Sequence, residues 1–141
     1  MKISFDRLKQ EQKIFLDKEI IKFEDIGLRK DFSGEIETSL ILSWIRSTVP
    51  TVELKGDLVG KLNLVCDRCV GSFIKKLNYK INDVYELERE EILKKVIDIE
   101  SKVKDFILNN FPIKILCKES CKGICVECNT NLNKEPCKCK L

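Results

Sequence analysis

Eight cysteines and no histidine set the chemistry open to this chain of 141 residues. The cysteines are Cys66, Cys69, Cys117, Cys121, Cys125, Cys128, Cys137 and Cys139, and six of them fall within the last 25 residues. Cys66-Asp-Arg-Cys69 and Cys125-Val-Glu-Cys128 have the Cys-x-x-Cys spacing that turns two sulfurs toward one tetrahedral ion, at Zn–S distances of ~2.3 Å. Cys117-x-x-x-Cys121 and Cys137-Lys-Cys139 supply two further close pairs. Four pairs make two four-thiolate sites, so two structural zinc ions are expected. Iron is the rival, because four thiolates also suit a rubredoxin-like redox or electron-transfer centre, and spacing does not separate the two metals. A single cysteine commonly packs as a small hydrophobe, and a lone Cys-x-x-Cys in a βαβ context reads as a redox pair. Eight cysteines in paired spacing among Lys, Glu and Asn fit neither description.

The same residues exclude much. Without histidine there is no Ser-His-Asp triad, no Cys-His nucleophile pair and no histidine general base. If eight thiolates close two sites, no coordination position stays open for a substrate or a water. The chain therefore reads as no enzyme, with no small-molecule substrate. Its start has no apolar h-region, and no apolar run reaches the ~18 residues of a membrane span. The expected compartment is the reducing cytoplasm, where disulfides are rare.

Loop length bears on which pairs share a metal. Cys125/Cys128 and Cys137/Cys139 are separated by eight residues rich in turn formers, and closing so short a loop costs little entropy. Those four are expected to form one local site. Cys66/Cys69 then join Cys117/Cys121 and tie the middle of the chain to its end. The interleaved pairing, Cys66/Cys69 with Cys125/Cys128, is geometrically open as well.

The elements that must position these sulfurs follow from hydrophobic periodicity. Ile36, Leu40, Leu42 and Trp44 share one phase of a strand, and 47–50 is a turn or edge. Val52, Leu54, Leu58, Leu62 and Leu64 share parity, with Gly56 and Gly60 between them. That run is one long strand coiled at its glycines, or a hairpin turning near 55–57. Alternation resumes after Cys69 with Phe73, Leu77, Tyr79 and Ile81, which places the first knuckle in the turn of an antiparallel hairpin. Residues 12–23 read as strand or short helix, and 86–91 as a solvated loop or helix start. The clearest helix is 99–110, with Ile99, Val103, Phe106, Ile107 and Asn110 on one face, Asp98 as cap and Pro112 as stop. The fold class is α+β: an antiparallel sheet with one main helix and a C-terminal cysteine-rich, zinc-bound tail. A single domain is expected over 1–141, with 113–141 as its metal-binding segment.

Charge gives no strong direction. Lys and Arg number 26 against 23 Asp and Glu, a formal +3. Each four-thiolate zinc site carries −2, so two sites bring the total to about −1. The last segment holds Lys114, Lys118, Lys122, Lys134, Lys138 and Lys140, which can offset thiolate charge or meet phosphates.

Several of these stretches resemble a known family. Cys66-Asp-Arg-Cys69-Val70 is similar to the Cys-x-Arg-Cys-Leu element of the YceD family of bacteria and plastids. Three later stretches resemble the family's remaining elements, in the same order: Ile97-Asp98-Ile99, the run from Phe111-Pro112 to Cys117, and the tail from Cys117 through Gly123-Ile124-Cys125 and Asn131-Leu132-Asn133 to Cys139. The resemblance covers about residues 50–141. The family's tail usually carries a glycine where Asn129 stands, in a left-handed turn that Asn also tolerates. The resemblance implies a non-enzymatic ribosome-assembly role in accumulation of large-subunit (23S) rRNA. The partner would be ribosomal RNA or a ribosomal protein of the large subunit. Candidate RNA or partner contacts are Arg68, Lys75 and Lys76 near the first knuckle and Lys118, Lys122, Lys134 and Lys138 near the tail. A protein partner would instead be read through Ile113, Ile115 and Leu116.

Overall fold

The structure, a computed structural model, describes residues 1–139. Its elements in chain order are β1 (Lys2–Ser4), α1 (Phe5–Glu11), β2 (Lys13–Lys22), a 3₁₀ turn (Phe23–Ile26), β3 (Ser33–Ile45), β4 (Thr51–Val65), β5 (Ser72–Glu86), α2 (Arg89–Lys94), β6 (Val96–Asp98) and α3 (Ile99–Asn110). The strands β2-β3-β4-β5 form an antiparallel meander, and β1 pairs with β6 in a separate two-stranded sheet. The cysteine-rich segment follows α3. No helix among the described residues is long and apolar enough to cross a membrane.

The run from 51 to 65 is one strand, not a hairpin. Its even-numbered side chains Val52, Leu54, Leu58, Leu62 and Leu64 are buried on one face. Gly56 and Gly60 lie on that face opposite Leu40 and Ile36 of β3. A Cβ on Gly56 would run into the Ser39 carbonyl oxygen, and one on Gly60 into that of Glu35. The glycines thus let two long strands approach and coil without a break. On β3, Thr38 joins Ile36, Leu40 and Leu42 in the core. Its hydroxyl donates to the Glu19 carbonyl at 3.0 Å, beside a register shift in β2 between Leu16 and Glu19. Lys18 adopts a φ of 54° there. The bulge reverses the alternation of β2, so Ile14 and Ile21 are buried while Ile20 is exposed.

The helix α3 covers the core face of the sheet. The Asp98 carboxylate accepts from the Ser101 N–H at 3.1 Å and caps its start. Ile99, Val103 and Ile107 are fully buried, each contributing about 1.5–3 kcal/mol by leaving water. Phe106 packs edge-on against Tyr79 with ring centroids 6.2 Å apart. Asn110 is exposed rather than on the buried face. The helix ends there because Phe111 precedes a proline and takes an extended ψ of 139°. Phe111 then inserts beside Phe23 and Phe32, with centroids at 5.3 and 6.4 Å. This aromatic cluster and buried Ile115 anchor the chain just before the third cysteine pair.

Candidate metal centres

The proximal centre is built where the β4–β5 hairpin meets the segment leaving α3. Cys66 follows β4 directly. Its N–H donates to the Gly71 carbonyl at 2.9 Å, and the Val70 N–H donates back to the Cys66 carbonyl at 3.0 Å. That tight turn faces Cys66 and Cys69 the same way. The Sγ of Cys66 lies 3.6 Å from that of Cys121, and the Sγ of Cys69 lies 3.7 Å from that of Cys117. All four sulfurs lie within 4.8 Å of one another. A tetrahedral ion with ~2.3 Å metal–sulfur bonds sets its sulfurs ~3.8 Å apart, so this donor set fits one. Cys66, Cys69 and Cys121 are buried, and Phe73 packs against both them and the main core.

Polar bonds hold the two halves together. The Asp67 carboxylate accepts from the Ile115 N–H at 2.8 Å and pairs with the Arg29 guanidinium. These partners, Ile115 first, hold its carboxyl below the usual range. The Arg68 guanidinium donates to the Cys121 carbonyl at 3.0 Å. Burial opposes ionisation of Cys66, yet backbone N–H groups of Cys69, Cys117 and Arg68 aimed at its sulfur bring it down to about 6. Burial and the neighbouring thiols push Cys117 up to about 12. A cation within the cage would favour the ionised form of all four thiols.

The distal centre lies in the tail. Its sulfurs are spaced 3.6 Å (Cys125 to Cys139), 3.8 Å (Cys128 to Cys137) and 3.4 Å (Cys125 to Cys137), and all four again lie within 4.8 Å of one another. The Thr130 hydroxyl lies 3.2 Å from the Cys128 sulfur. That contact, then the N–H groups of Thr130 and Lys138, hold Cys128 down to about 5. Cys139 is pushed up, chiefly by Cys137. The two knuckles share a backbone: the residue after the second cysteine, Val70 in one and Asn129 in the other, has a φ of 57°. The sulfurs therefore fall into the local grouping and not the interleaved one.

A family model described as "Large ribosomal RNA subunit accumulation protein YceD" matches residues 54–141. The chain belongs to the YceD family. The match begins inside β4 and includes all eight cysteines. A curated relative, the chloroplastic "Large ribosomal RNA subunit accumulation protein YCED homolog 1" of Arabidopsis thaliana, is 40% identical over 45 residues. That stretch is 32% of this chain and 14% of the relative, so the chain spans a small part of the relative's length. No solved structure matches the chain.

In this YceD-family chain the basic candidates separate. Arg68 is engaged with the Cys121 carbonyl. Lys75 and Lys76 are successive residues of β5 and point to opposite faces of the sheet; Lys75 lies opposite buried Leu62, and Lys76 opposite exposed Lys61. Both nevertheless border one groove at the edge strand, with Leu62, Tyr79 and Phe111. Lys118 and Lys134 line one groove of about 340 Å³ beside the proximal centre, with Ser72, Asn131 and Asn133 between them. Lys122 is exposed, and Lys138 pairs with Glu135 at 3.2 Å. Lys140 lies outside the described residues.

The apolar alternative needs correction. Ile113 is fully exposed, but Ile115 is buried and Leu116 packs against the proximal cysteines. Ile115 is thereby withdrawn from a partner, while Leu116 stays half-buried beside the cysteines. The sequence did not reveal that Arg29, Asp67, Thr130 and Asn133 contact the cysteine-bearing turns. An acidic residue inside Cys-x-x-Cys was the one visible signal.

Proposed function

We propose that this chain is a non-enzymatic ribosome-assembly factor. It supports accumulation of large-subunit (23S) rRNA and presents a tail pinned by two structural zinc ions to that rRNA. The observation that carries the reading is the pair of closed four-sulfur cages in a chain of the YceD family. A zinc ion in each cage supplies a cross-link, because four thiolates leave no position for water or substrate. The chain's own residues do the rest. Cys66 and Cys69 hold the hairpin turn to Cys117 and Cys121, and the distal cysteines fold the tail on itself. Lys118 and Lys134 then face solvent from fixed positions. Residues 1–141 act as one unit, with 113–141 as its metal-binding segment, in the cytoplasm.

The test joins metal content with RNA level. The purified chain carries about two zinc ions, and expressed in a cell lacking its own family member it restores the ratio of 23S to 16S rRNA. Cys121→Ser and Cys128→Ser, each with one site broken, fail to restore it. A coloured protein with stoichiometric iron would replace this reading with the rubredoxin-like redox one. An unchanged 23S level without the chain would remove the ribosomal role.

A further inference from the structure

The loop that joins the two cysteine pairs of the distal centre also reaches the proximal one. At 131–133 it folds back on 121–124, the segment that begins with Cys121. Ile124 and Asn131 form an antiparallel bridge, and the Leu132 N–H donates to the Gly123 carbonyl at 2.9 Å. The Lys122 N–H donates to Asn133 Oδ1 at 2.8 Å. With its oxygen so engaged, Asn133 turns its Nδ2 to Cys121 and donates to the sulfur at 3.2 Å. The amide orientation follows from donor and acceptor chemistry, since only the oxygen can accept from Lys122. The Asn133 N–H is itself held by Asn131 Oδ1 at 3.0 Å.

We infer that the two centres load metal cooperatively, with Asn133 as the positioning residue that couples them. The inference rests on both cages holding metal. Until Cys128 and Cys137 are joined, the loop between them is ordered only by its own weak bonds and by its hydrogen bonds to 122–125. Joining them restricts the loop and fixes Asn133 against Cys121. In the other direction, Cys121 held as a thiolate is a charged acceptor, and a hydrogen bond to an ionised group is roughly twice as strong as a neutral one. A fixed Asn133 then holds the loop in the shape that brings Cys137 toward Cys128. Linkage makes the two effects equal in size. Two dianionic centres also repel each other, and physiological salt screens that term over ~8 Å.

The experiment is a cycle of affinities read by cobalt(II) absorption and zinc competition on the reduced full chain at physiological salt. Proximal-centre affinity is measured in the parent and in Cys125→Ser/Cys128→Ser, where the distal centre cannot close. It is measured again with Asn133→Ala added to each. Disabling the distal centre should weaken the proximal one about tenfold in the parent, within the usual span of couplings. In the Asn133→Ala background the same change should cost about twofold or less, while the otherwise intact Asn133→Ala chain still binds two ions. The reciprocal measurement, distal affinity in Cys117→Ser, should return the same factor and guards against misfolding of one variant. Equal proximal affinity with and without the distal centre would overturn the inference. So would a loss of equal size whether or not Asn133 is present. A chain that binds fewer than two ions at saturation would overturn the two-centre reading beneath it.

Discussion

Asp67 and Ile115 hold each other at both ends. The Asp67 N–H donates to the Ile115 carbonyl at 2.7 Å, and the Ile115 N–H donates to the Asp67 carboxylate at 2.8 Å. The pair joins the first knuckle to the approach of the third cysteine pair, across 48 residues, with no sulfur involved. Arg29, stacked over Phe32 at 4.5 Å, reaches the same carboxylate. The proximal cage is therefore held partly closed by ordinary hydrogen bonds. Asp67→Ala should speed hydrogen exchange at the Ile115 amide and weaken binding of metal to the proximal centre, while saturation stays at two ions. Exchange at Ile115 as slow as in the parent would show that the sulfurs alone hold the tail.

The two centres should stabilise different parts of the chain. Cys125→Ser breaks a cage whose four ligands lie within 15 residues of one another, so it should raise exchange mainly from about 122 onward. Cys66→Ser removes a sulfur 1% exposed in a cluster that shares Phe73 with the main core. It should raise exchange in both the 62–75 hairpin and the tail. Exchange mapped by mass spectrometry separates the two patterns. At zinc concentrations that keep the proximal centre filled, loss of hairpin protection in Cys125→Ser would mean that the sulfurs pair otherwise in solution.

Val70 carries strain that its counterpart avoids. It has the same φ of 57° as Asn129, but a β-branched side chain is crowded in the left-handed region, at a cost of ~1–2 kcal/mol. Its side chain is 63% exposed, so little packing offsets that cost. Val70→Asn should raise stability by about 1 kcal/mol, read as a higher denaturant midpoint with unchanged slope and unchanged metal content. A variant no more stable than the parent would mean that the valine contacts are worth as much as the strain.

Local periodicity made part of this fold legible and left other parts hidden. The long strands and α3 were readable because Leu54, Leu58 and Leu62, or Ile99, Val103 and Ile107, repeat with one period and share one buried face. The cages were readable because cysteine spacing is itself geometric. The sequence left α1 unread, since its seven residues bury only Leu8 and its Ser4 cap is followed by no helical stripe. It left α2 as a loop or helix start because the cap there is a Glu88–Glu91 box rather than the usual Ser or Thr. The β1–β6 pair joins three-residue strands from the start of the chain and from beside α3, and no local pattern announces so distant a partner. Residues 12–23 stayed open between strand and short helix because the bulge at Lys18 breaks their alternation and leaves Ile20 exposed beside buried Ile21. The orientation of Ile115 and Leu116 depends on Asp67, a contact that only the folded chain reveals.

The tail's lysines carry the last prediction. Lys118 and Lys134 border one groove, Lys122 is exposed, and Lys138 is partly spent on Glu135. If these ammonium groups meet rRNA phosphates, each contact releases condensed counterions, and the logarithm of affinity falls by ~0.7–0.9 per decade of salt for each. Replacing all four by glutamine should weaken association with large-subunit rRNA and flatten the salt slope by about 3. Lys118→Gln with Lys134→Gln should account for most of the loss and Lys138→Gln alone for the least, because Glu135 already competes for that charge. Metal content should stay at two ions, since none of the four is a ligand. Filter binding across a salt series, beside 23S levels in complemented cells, reads both effects. Salt-insensitive association, or full binding by the quadruple variant, would point to a ribosomal protein instead. Ile113, fully exposed where the chain enters the proximal centre, would then be the first side chain to replace.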